Sequence, residues 1–103
     1  MEDYIKVGKV DELPVGSMKS IGAGNRRIVV YHAEDGFYAM ADECSHDYAP
    51  ISTGRVMNGQ IVCPRHGARF DIKTGEVKAP PAVADIDTFE TKIEQGTVFV
   101  RIG

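Results

Sequence analysis

Apolar and polar side chains alternate with a period of two along the C-terminal end of the chain. The apolar side of this alternation holds Phe89, Thr91, Ile93, Val98, Val100 and Ile102. Charged and polar residues fill most of the positions between them, and the dipeptide Gln95-Gly96 interrupts the pattern. A period of two is typical of a strand with one buried face. The pattern therefore predicts an antiparallel two-stranded ribbon that packs on a core.

Tight turns are indicated at four dipeptides along the chain. These are Asp35-Gly36, Asn58-Gly59, Thr74-Gly75 and Gln95-Gly96. Each is flanked by residues suited to strands, so four hairpins are predicted. Further strands are predicted at 4–7, 17–21, 26–32 and 37–41. Helical periodicity is absent, although Asp11-Glu12-Leu13 before Pro14 could form a single turn. The predicted fold is all-β.

The middle of the chain differs in composition from both flanks. Residues from about 42 to 83 contain both cysteines, two of the three histidines and the sequence Ala79-Pro80-Pro81-Ala82. We therefore interpret residues 1–41 and 84–103 as a base built from sheets, and the middle segment as an insertion into it.

Composition limits the classes of function. With 103 residues, 43% of them hydrophobic and 26% charged, the chain is predicted to form a single globular domain. The net charge is -3 and no stripe of lysine and arginine is present, so no nucleic-acid partner is expected. The acidic N-terminus and the lack of a long apolar stretch predict a soluble cytoplasmic protein without a membrane anchor.

The cysteines and two of the histidines form two short motifs, Cys44-Ser45-His46 and Cys63-Pro64-Arg65-His66. A hairpin at Asn58-Gly59 lies between them, and its second strand, 60–62, leads to Cys63 at the far end. The two motifs can therefore face each other. Each offers one thiolate and one imidazole, which suit iron-sulfur clusters, zinc and copper.

This pair of motifs resembles the signature of Rieske proteins, and the likeness extends over nearly the whole chain, including Gly67. It implies the Rieske fold, an antiparallel β-sandwich base with an inserted cluster-binding subdomain of hairpin loops. It also implies one 2Fe-2S cluster per chain. Cys44 and Cys63 would bind one iron, and His46 and His66 the other. Pro80 and Pro81 would lie in the loop that covers the cluster.

Departures from the respiratory members of the family bear on the reduction potential. Where those proteins have an extra cysteine in each loop, this chain has Ala49 and Arg65, so that disulfide cannot form. Where they have a serine and a tyrosine that donate hydrogen bonds to sulfur, it has Ala68 and Phe70. Rieske clusters span about -150 to +300 mV. We expect a potential near the low end of that range.

The resemblance is strongest to the small Rieske ferredoxins, which pass single electrons from a flavin-containing reductase to a terminal Rieske oxygenase that hydroxylates aromatic rings. On this interpretation the chain is a monomeric electron carrier and not itself an enzyme. The residues beside the ligands, Asp47, Tyr48, Arg65 and Arg69, would form the surface on which partners dock.

Other interpretations remain open at this point. The chain could be a small subunit of a larger redox enzyme such as nitrite reductase. The four ligands could hold a structural zinc, or Cys44 and Cys63 could form a disulfide. His32, outside both motifs, is interpreted as a strand or turn residue. The acidic residues Asp85, Asp87 and Glu90 are interpreted as a solvated face and not as catalytic carboxylates.

Overall fold

The computed structural model describes residues 3–43, 50–64, 67–80 and 84–102, and nearly all of its regular structure is β-strand. The strands are β1 Tyr4–Lys9, β2 Met18–Ala23, β3 Arg26–Ala33, β4 Gly36–Ala41, β5 Arg55–Met57, β6 Gln60–Val62, β7 Arg69–Asp71, β8 Val77–Ala79, β9 Thr88–Phe89, β10 Thr91–Glu94 and β11 Thr97–Arg101. The single predicted turn of helix is a 3₁₀ turn at Val10–Glu12. The all-β prediction is confirmed. Within these ranges no helix is long and apolar enough to cross a membrane.

The strands pair antiparallel in three sheets. The terminal sheet has the order β1-β11-β10, the central sheet β2-β3-β4-β9 and the hairpin sheet β5-β6-β7-β8. All strands of the hairpin sheet lie between residues 55 and 79, inside the segment interpreted from the sequence as an insertion. The division into a base and an inserted subdomain stays a prediction.

The central sheet is buried on both faces. Ile28 and Val30 of β3 point to a core shared with Val98 of the terminal sheet. Val29, on the opposite face of β3, belongs to a second core that includes Phe70 of the hairpin sheet. Because neighbouring residues of a strand point to opposite faces, a strand covered on both sides needs an uninterrupted apolar run. This explains the sequence Ile28-Val29-Val30.

Two of the four predicted hairpin turns have the expected geometry. Asn58 and Gly59 both have positive φ, at 53° and 76°, between the paired residues Met57 and Gln60. Gln95 and Gly96, at 51° and 75°, join β10 to β11 in the same way. Positive φ at both central positions is the conformation that asparagine and glycine favour, and its twist matches that of the flanking strands.

The other turns differ in detail from the sequence interpretation. Ala33 pairs with Gly36, so the turn between β3 and β4 is formed by Glu34 and Asp35, one residue earlier than predicted. Thr74 and Gly75 lie in the longer connection between β7 and β8.

A further tight hairpin, which the sequence analysis did not identify, joins β2 to β3. Its turn residues are Gly24 and Asn25, between the paired residues Ala23 and Arg26. Gly24 has a φ of 66°, so the left-handed conformation falls on the first turn position.

Burial of the C-terminal ribbon follows the predicted alternation on β11 but not on β10. Val98 and Val100 are fully buried, whereas Ile93, which pairs with Val98, is 55% exposed. The strand order explains the difference, because β11 is the middle strand of the terminal sheet and β10 is its edge. Ile102 is also exposed, at 41%.

The hairpin sheet is attached to the segment that leads to β9. The Ile86 N–H donates to the Gly75 carbonyl oxygen at 2.8 Å, and the Val77 N–H donates to the Asp85 carboxylate at 2.9 Å. Gly75 has a φ of 75°, and a Cβ there would lie 2.1 Å from the Ile86 oxygen. This position therefore requires glycine for both its conformation and its space.

Candidate metal centre

Of the four ligands predicted from the sequence, Cys63 lies within the described residues. Cys44, His46 and His66 lie outside them, as do Pro81 and the docking residues Asp47, Tyr48 and Arg65. Pro80 follows β8 at the end of a described range. The geometry of the site is therefore built from Cys63 and from the residues that flank the two ligand segments.

Cys63 directly follows β6 and occupies the turn that connects β6 to β7. Its N–H donates to the Ala68 carbonyl oxygen at 2.7 Å, and its own carbonyl accepts a hydrogen bond from the Gly67 N–H at 3.1 Å. Gly67 has a φ of 78°, which lets the chain reverse within this short connection. The backbone around Cys63 is thus held by its own hydrogen bonds.

The thiol of Cys63 is held in a dry environment. Cys63 is 1% exposed and belongs to the same core as Ile61 and Phe70. Among the described residues Cys63 is a free cysteine; the other cysteine of the disulfide considered from the sequence, Cys44, lies outside them. A buried thiol that has no partner among the described residues, in a hydrogen-bonded turn at the end of β6, fits a ligand for a soft metal centre.

A cavity of about 380 Å³ lies beside Cys63. Its lining in the described residues is Thr53, Gly54, Arg55, Val62, Cys63, Pro64 and Gly67. These residues come from two stretches of the chain. One runs into β5, and the other leaves β6 and enters the turn before β7. The cavity therefore opens between two parts of the chain. One is the stretch at Thr53 and Gly54, which follows the segment containing Cys44 and His46, and the other is the turn that begins at Cys63.

Gly54 lies where these two segments are in closest contact. A Cβ on Gly54 would lie 2.0 Å from the carbonyl oxygen of Val62, the residue before Cys63. The Gly54 N–H donates to the Ile51 carbonyl oxygen at 2.9 Å, and Ile51 is completely buried. The sequence analysis missed Gly54, because its requirement for glycine comes from a contact with a separate strand.

Asp42 lies at the start of the segment that contains Cys44 and His46. Its side chain is fully buried, and its carboxylate accepts hydrogen bonds from Ser52 and Ser20. Asp42 was also missed. The only signal available was an acidic residue immediately after the apolar strand pattern that ends at Ala41.

The histidine outside the motifs has a structural place. His32 lies on β3, its ring stacks on Phe37 with 3.9 Å between centroids, and its Nδ1 contacts the Leu13 carbonyl oxygen. The described ranges contain no group of three or more histidine, cysteine or acidic residues that could hold a metal ion. The described residues thus provide no competing metal site.

The acidic residues of the 84–90 segment are exposed, as predicted. Asp87 forms an ion pair with Arg26 at 3.3 Å, and Glu90 forms one with Arg101 at 3.6 Å. Asp85 accepts the hydrogen bond from Val77 described above. These carboxylates therefore stabilise local structure on the surface.

Known proteins resemble the chain in both sequence and fold. A profile of the family described as Rieske [2Fe-2S] domain matches residues 3–90. The ferredoxin component of the naphthalene 1,2-dioxygenase/salicylate 5-hydroxylase systems of Ralstonia sp. is 31% identical, over 98% of this chain and 97% of its own. The anthranilate 1,2-dioxygenase ferredoxin subunit of Burkholderia cepacia is 32% identical, over 100% of this chain and 95% of its own.

A solved structure gives a similar result. A chain in the complex of reduced oxygenase and oxidized ferredoxin of carbazole 1,9a-dioxygenase superposes with a TM-score of 0.92 at 29% identity. The match covers 98% of this chain and 94% of that one.

Proposed function

Because the chain belongs to the Rieske family of 2Fe-2S domains, we propose that Cys44 and Cys63 bind one iron of its cluster and that His46 and His66 bind the other. The observation that carries this assignment is the unpaired, buried thiol of Cys63 at the tip of a hydrogen-bonded hairpin turn. When bound, the cluster supplies a one-electron redox couple. The protein is an electron carrier and not itself an enzyme.

Burial of Cys63 gives the proposed ligand pairs different roles. The Cys63 side of the site is packed against the core, where water is excluded. The two histidines would then lie at the outer end of the cluster, nearer to a partner protein. Electrons would enter and leave through the imidazole side, while the core holds the thiolate side in place.

We place the chain between a flavin-containing reductase and a terminal Rieske oxygenase, as a monomer in the cytoplasm. The similar proteins named above are ferredoxin components of dioxygenase systems, and one is in a complex with its oxygenase. The names of these relatives as ferredoxins favour an electron carrier of this kind over a small subunit of an enzyme such as nitrite reductase. Purification as a stable complex with another protein would favour the subunit.

The docking surface that we propose includes two exposed arginines at the Cys63 end of one face of the hairpin sheet. Arg55 and Arg69 flank Val62 on neighbouring strands, in the pairs Arg55 with Val62 and Val62 with Arg69. Because paired residues of an antiparallel sheet point to the same face, the two arginine side chains project from the same face of the sheet as Val62, one from each flanking strand, beside the residue that precedes Cys63. Both arginines are exposed, and neither forms an ion pair with another described residue. This face suits an acidic partner surface.

The ligand assignment is tested by spectroscopy on the purified protein. After anaerobic reconstitution we expect a reddish-brown protein with bound iron and sulfide. The reduced form should give the electron paramagnetic resonance spectrum of mixed nitrogen and sulfur ligation. Replacing both His46 and His66 by alanine should abolish the visible absorption, whereas His32→Ala should keep it. A colourless protein that binds zinc, or absorption that survives the double substitution, would refute the assignment.

The docking surface is tested by charge reversal. Arg55→Glu and Arg69→Glu should each slow reduction by the reductase of an aromatic dioxygenase system and weaken the dependence of that rate on salt. Lys6→Glu, an equal change of charge on the exposed side of the terminal sheet, is the matched control. Equal rates in all three variants would show that this face does not dock.

A further inference from the structure

Asp42 is the charged residue that the fold buries in the described part of the chain. It lies directly after β4 and two residues before Cys44. Its backbone N–H donates to the Arg27 carbonyl oxygen at 2.9 Å, which fixes the end of β4 against β3. A buried carboxylate is unfavourable unless hydrogen-bond donors surround it, so its partners indicate why it is present.

The partners of the Asp42 carboxylate come from two distant segments. The Ser52 N–H donates to Oδ1 at 2.8 Å, and the Ser52 hydroxyl donates to Oδ2 at 2.8 Å. The Ser20 hydroxyl of β2 donates to Oδ2 at 2.6 Å. Arg27 Nη2 in turn donates to the Ser20 oxygen at 3.0 Å, while its Nε lies 4.0 Å from Oδ2. Every oxygen of the carboxylate is thus occupied by donors.

These contacts join Asp42 to Ser52, the residues on either side of the segment that contains the proposed ligands Cys44 and His46. The chain leaves the central sheet at Asp42 and continues through Cys44 and His46, and Ser52 lies on the returning side. The three hydrogen bonds that the Asp42 carboxylate accepts from Ser52 and Ser20 therefore join Asp42 to Ser52 and fix both to β2.

The same contacts extend to the second ligand segment. Two residues after Ser52, Gly54 packs against the carbonyl of Val62, and Cys63 follows Val62 directly. A continuous path of close contacts thus runs from Asp42 through Ser52 and Gly54 to the Cys63 turn. A displacement of Ser52 would therefore shift both the segment that contains Cys44 and His46 and the turn that begins at Cys63.

We infer that Asp42 is a positioning residue for the cluster. Its hydrogen bonds fix the segment that contains Cys44 and His46 relative to the turn that begins at Cys63. Its negative charge, buried near the start of the first segment, also disfavours the addition of an electron and so lowers the reduction potential. The inference rests on the proposed function, since it concerns the cluster ligands assigned there.

Three variants separate the two effects of Asp42. Asp42→Ala removes both the charge and the hydrogen bonds. Asp42→Asn removes the charge but keeps the shape and an oxygen that can accept the Ser52 N–H. Ser52→Ala keeps the charge and the backbone hydrogen bond but removes one hydroxyl donor. If Asp42→Ala does not fold, the other two variants still test the inference.

The matched control for charge is Asp71→Asn. The Asp71 carboxylate also accepts backbone hydrogen bonds, from Lys73 at 2.8 Å and Thr74 at 3.1 Å. It pairs with Gln60, next to the Asn58-Gly59 turn and at the opposite end of β6 from Cys63. The change in net charge is identical, so any effect specific to the ligand segments must exceed that of the control.

The measurements are made on the reconstituted protein by voltammetry and by loss of visible absorption in the presence of an iron chelator. We expect Asp42→Asn to have a more positive potential than Asp71→Asn, with at least a two-fold higher fraction reduced at a fixed potential. Asp42→Ala and Ser52→Ala should lose the cluster several-fold faster than the wild type, while circular dichroism shows the base still folded.

The inference is overturned if Asp42→Asn and Asp71→Asn have equal potentials, or if Ser52→Ala and any folded Asp42→Ala lose the cluster as slowly as the wild type. Either result leaves the proposed function intact, because the wild type would still hold a Rieske cluster. A wild type that forms no cluster would overturn the proposed function and this inference together.

Discussion

Single atoms decide how closely the two proposed ligand segments approach each other. At Gly54 the contact is with the Val62 backbone, at a distance that leaves no room for a Cβ. A backbone atom cannot rotate away as a flexible side chain can. Any larger residue at this position must therefore displace the strand that ends at Cys63.

We expect Gly54→Ala to lower the free energy of unfolding by about 1–3 kcal/mol, the usual effect of overpacking, and to release the cluster faster. Gly22→Ala is the control, because no atom lies within 4 Å of a Cβ at Gly22 and its φ is not positive. The control should change stability by less than about 0.5 kcal/mol. Urea denaturation and chelator-induced bleaching measure the two effects, and equal behaviour of the two variants would contradict the prediction.

The reduction potential is also set at the level of single side chains. Ala68 is completely buried, its carbonyl accepts the hydrogen bond from the Cys63 N–H, and both residues pack in the same core, so we expect a hydroxyl added there to reach a sulfur of the proposed cluster. A hydroxyl that donates to sulfur stabilises the reduced state. We therefore expect Ala68→Ser to raise the potential above a wild-type value near the low end of the Rieske range.

Ala39→Ser is the matched control for this prediction. Ala39 is also buried, but it belongs to the core between the central and terminal sheets. Both substitutions bury a hydroxyl, at a typical penalty of about 1–3 kcal/mol if it finds no partner. Only Ala68→Ser should shift the potential in voltammetry. An unshifted potential in Ala68→Ser, or a wild-type value well above zero, would contradict the explanation based on missing hydroxyls.

At the scale of elements, the hairpin sheet and the central sheet are joined by contacts between their turns. Lys73, in the connection between β7 and β8, donates a hydrogen bond to Asp35 in the turn between β3 and β4, at 2.6 Å. Its ammonium group also lies 5.4 Å from the centre of the Tyr38 ring. The hydrogen bond from Lys73 holds the pKa of Asp35 below its ordinary value of 3.8. The same bond raises the pKa of Lys73 above 10.5.

These directions define the pH range in which the pair stabilises the fold. The lowered pKa of Asp35 means that its contribution is present above about pH 4 and is lost as the pH falls through the folded-state value. The raised pKa of Lys73 means that its contribution is present below about pH 10 and is lost as the pH rises through the folded-state value. Because both groups are exposed, water and salt screen the pair and the effect is small.

We therefore expect Lys73→Met to have a lower melting temperature than the wild type at pH 7, and a smaller difference at pH 2, where more of Asp35 is protonated. Lys73→Arg retains the positive charge and should preserve the pH dependence of the wild type. Thermal melts followed by circular dichroism at the two pH values measure the difference. A difference that persists unchanged at low pH, or that is insensitive to salt, would show that the effect of Lys73 is not electrostatic.

For the whole molecule, the sequence predicts what depends on near neighbours. The turns at Asn58-Gly59 and Gln95-Gly96 follow from two adjacent residues, and Cys63 lies at the end of the predicted strand β6. Exposure of Ile93 was not predictable, because it depends on β10 being an edge strand. The partners of Asp42 were not predictable either, because Ser20 is far from it in sequence. Cys44, His46 and His66 stay predictions.

The described residues form two apolar cores on opposite faces of the central sheet, and one of these two contains Cys63. Ile61, in β6, is 0% exposed and packs in the core that contains Cys63, whereas Ile28, in β3, is 1% exposed and packs in the other. The two isoleucines are equally buried and lie in different sheets, Ile28 in the central sheet and Ile61 in the hairpin sheet. They therefore offer a matched pair for separating general stability from retention of the cluster.

Ile61→Val and Ile28→Val remove the same methylene and should each lower the free energy of unfolding by about 0.5–1.5 kcal/mol. If the central and hairpin sheets unfold together, the two variants should have similar midpoints of denaturant unfolding. The two variants should differ in local packing around the cluster site. Of the two, Ile61→Val alone leaves space in the core that holds the Cys63 thiol. We expect that variant alone to lose visible absorption faster under chelator at pH 7 without denaturant. Equal rates in the two variants would show that cluster release requires global unfolding, and that neither core has a separate role in retaining the metal.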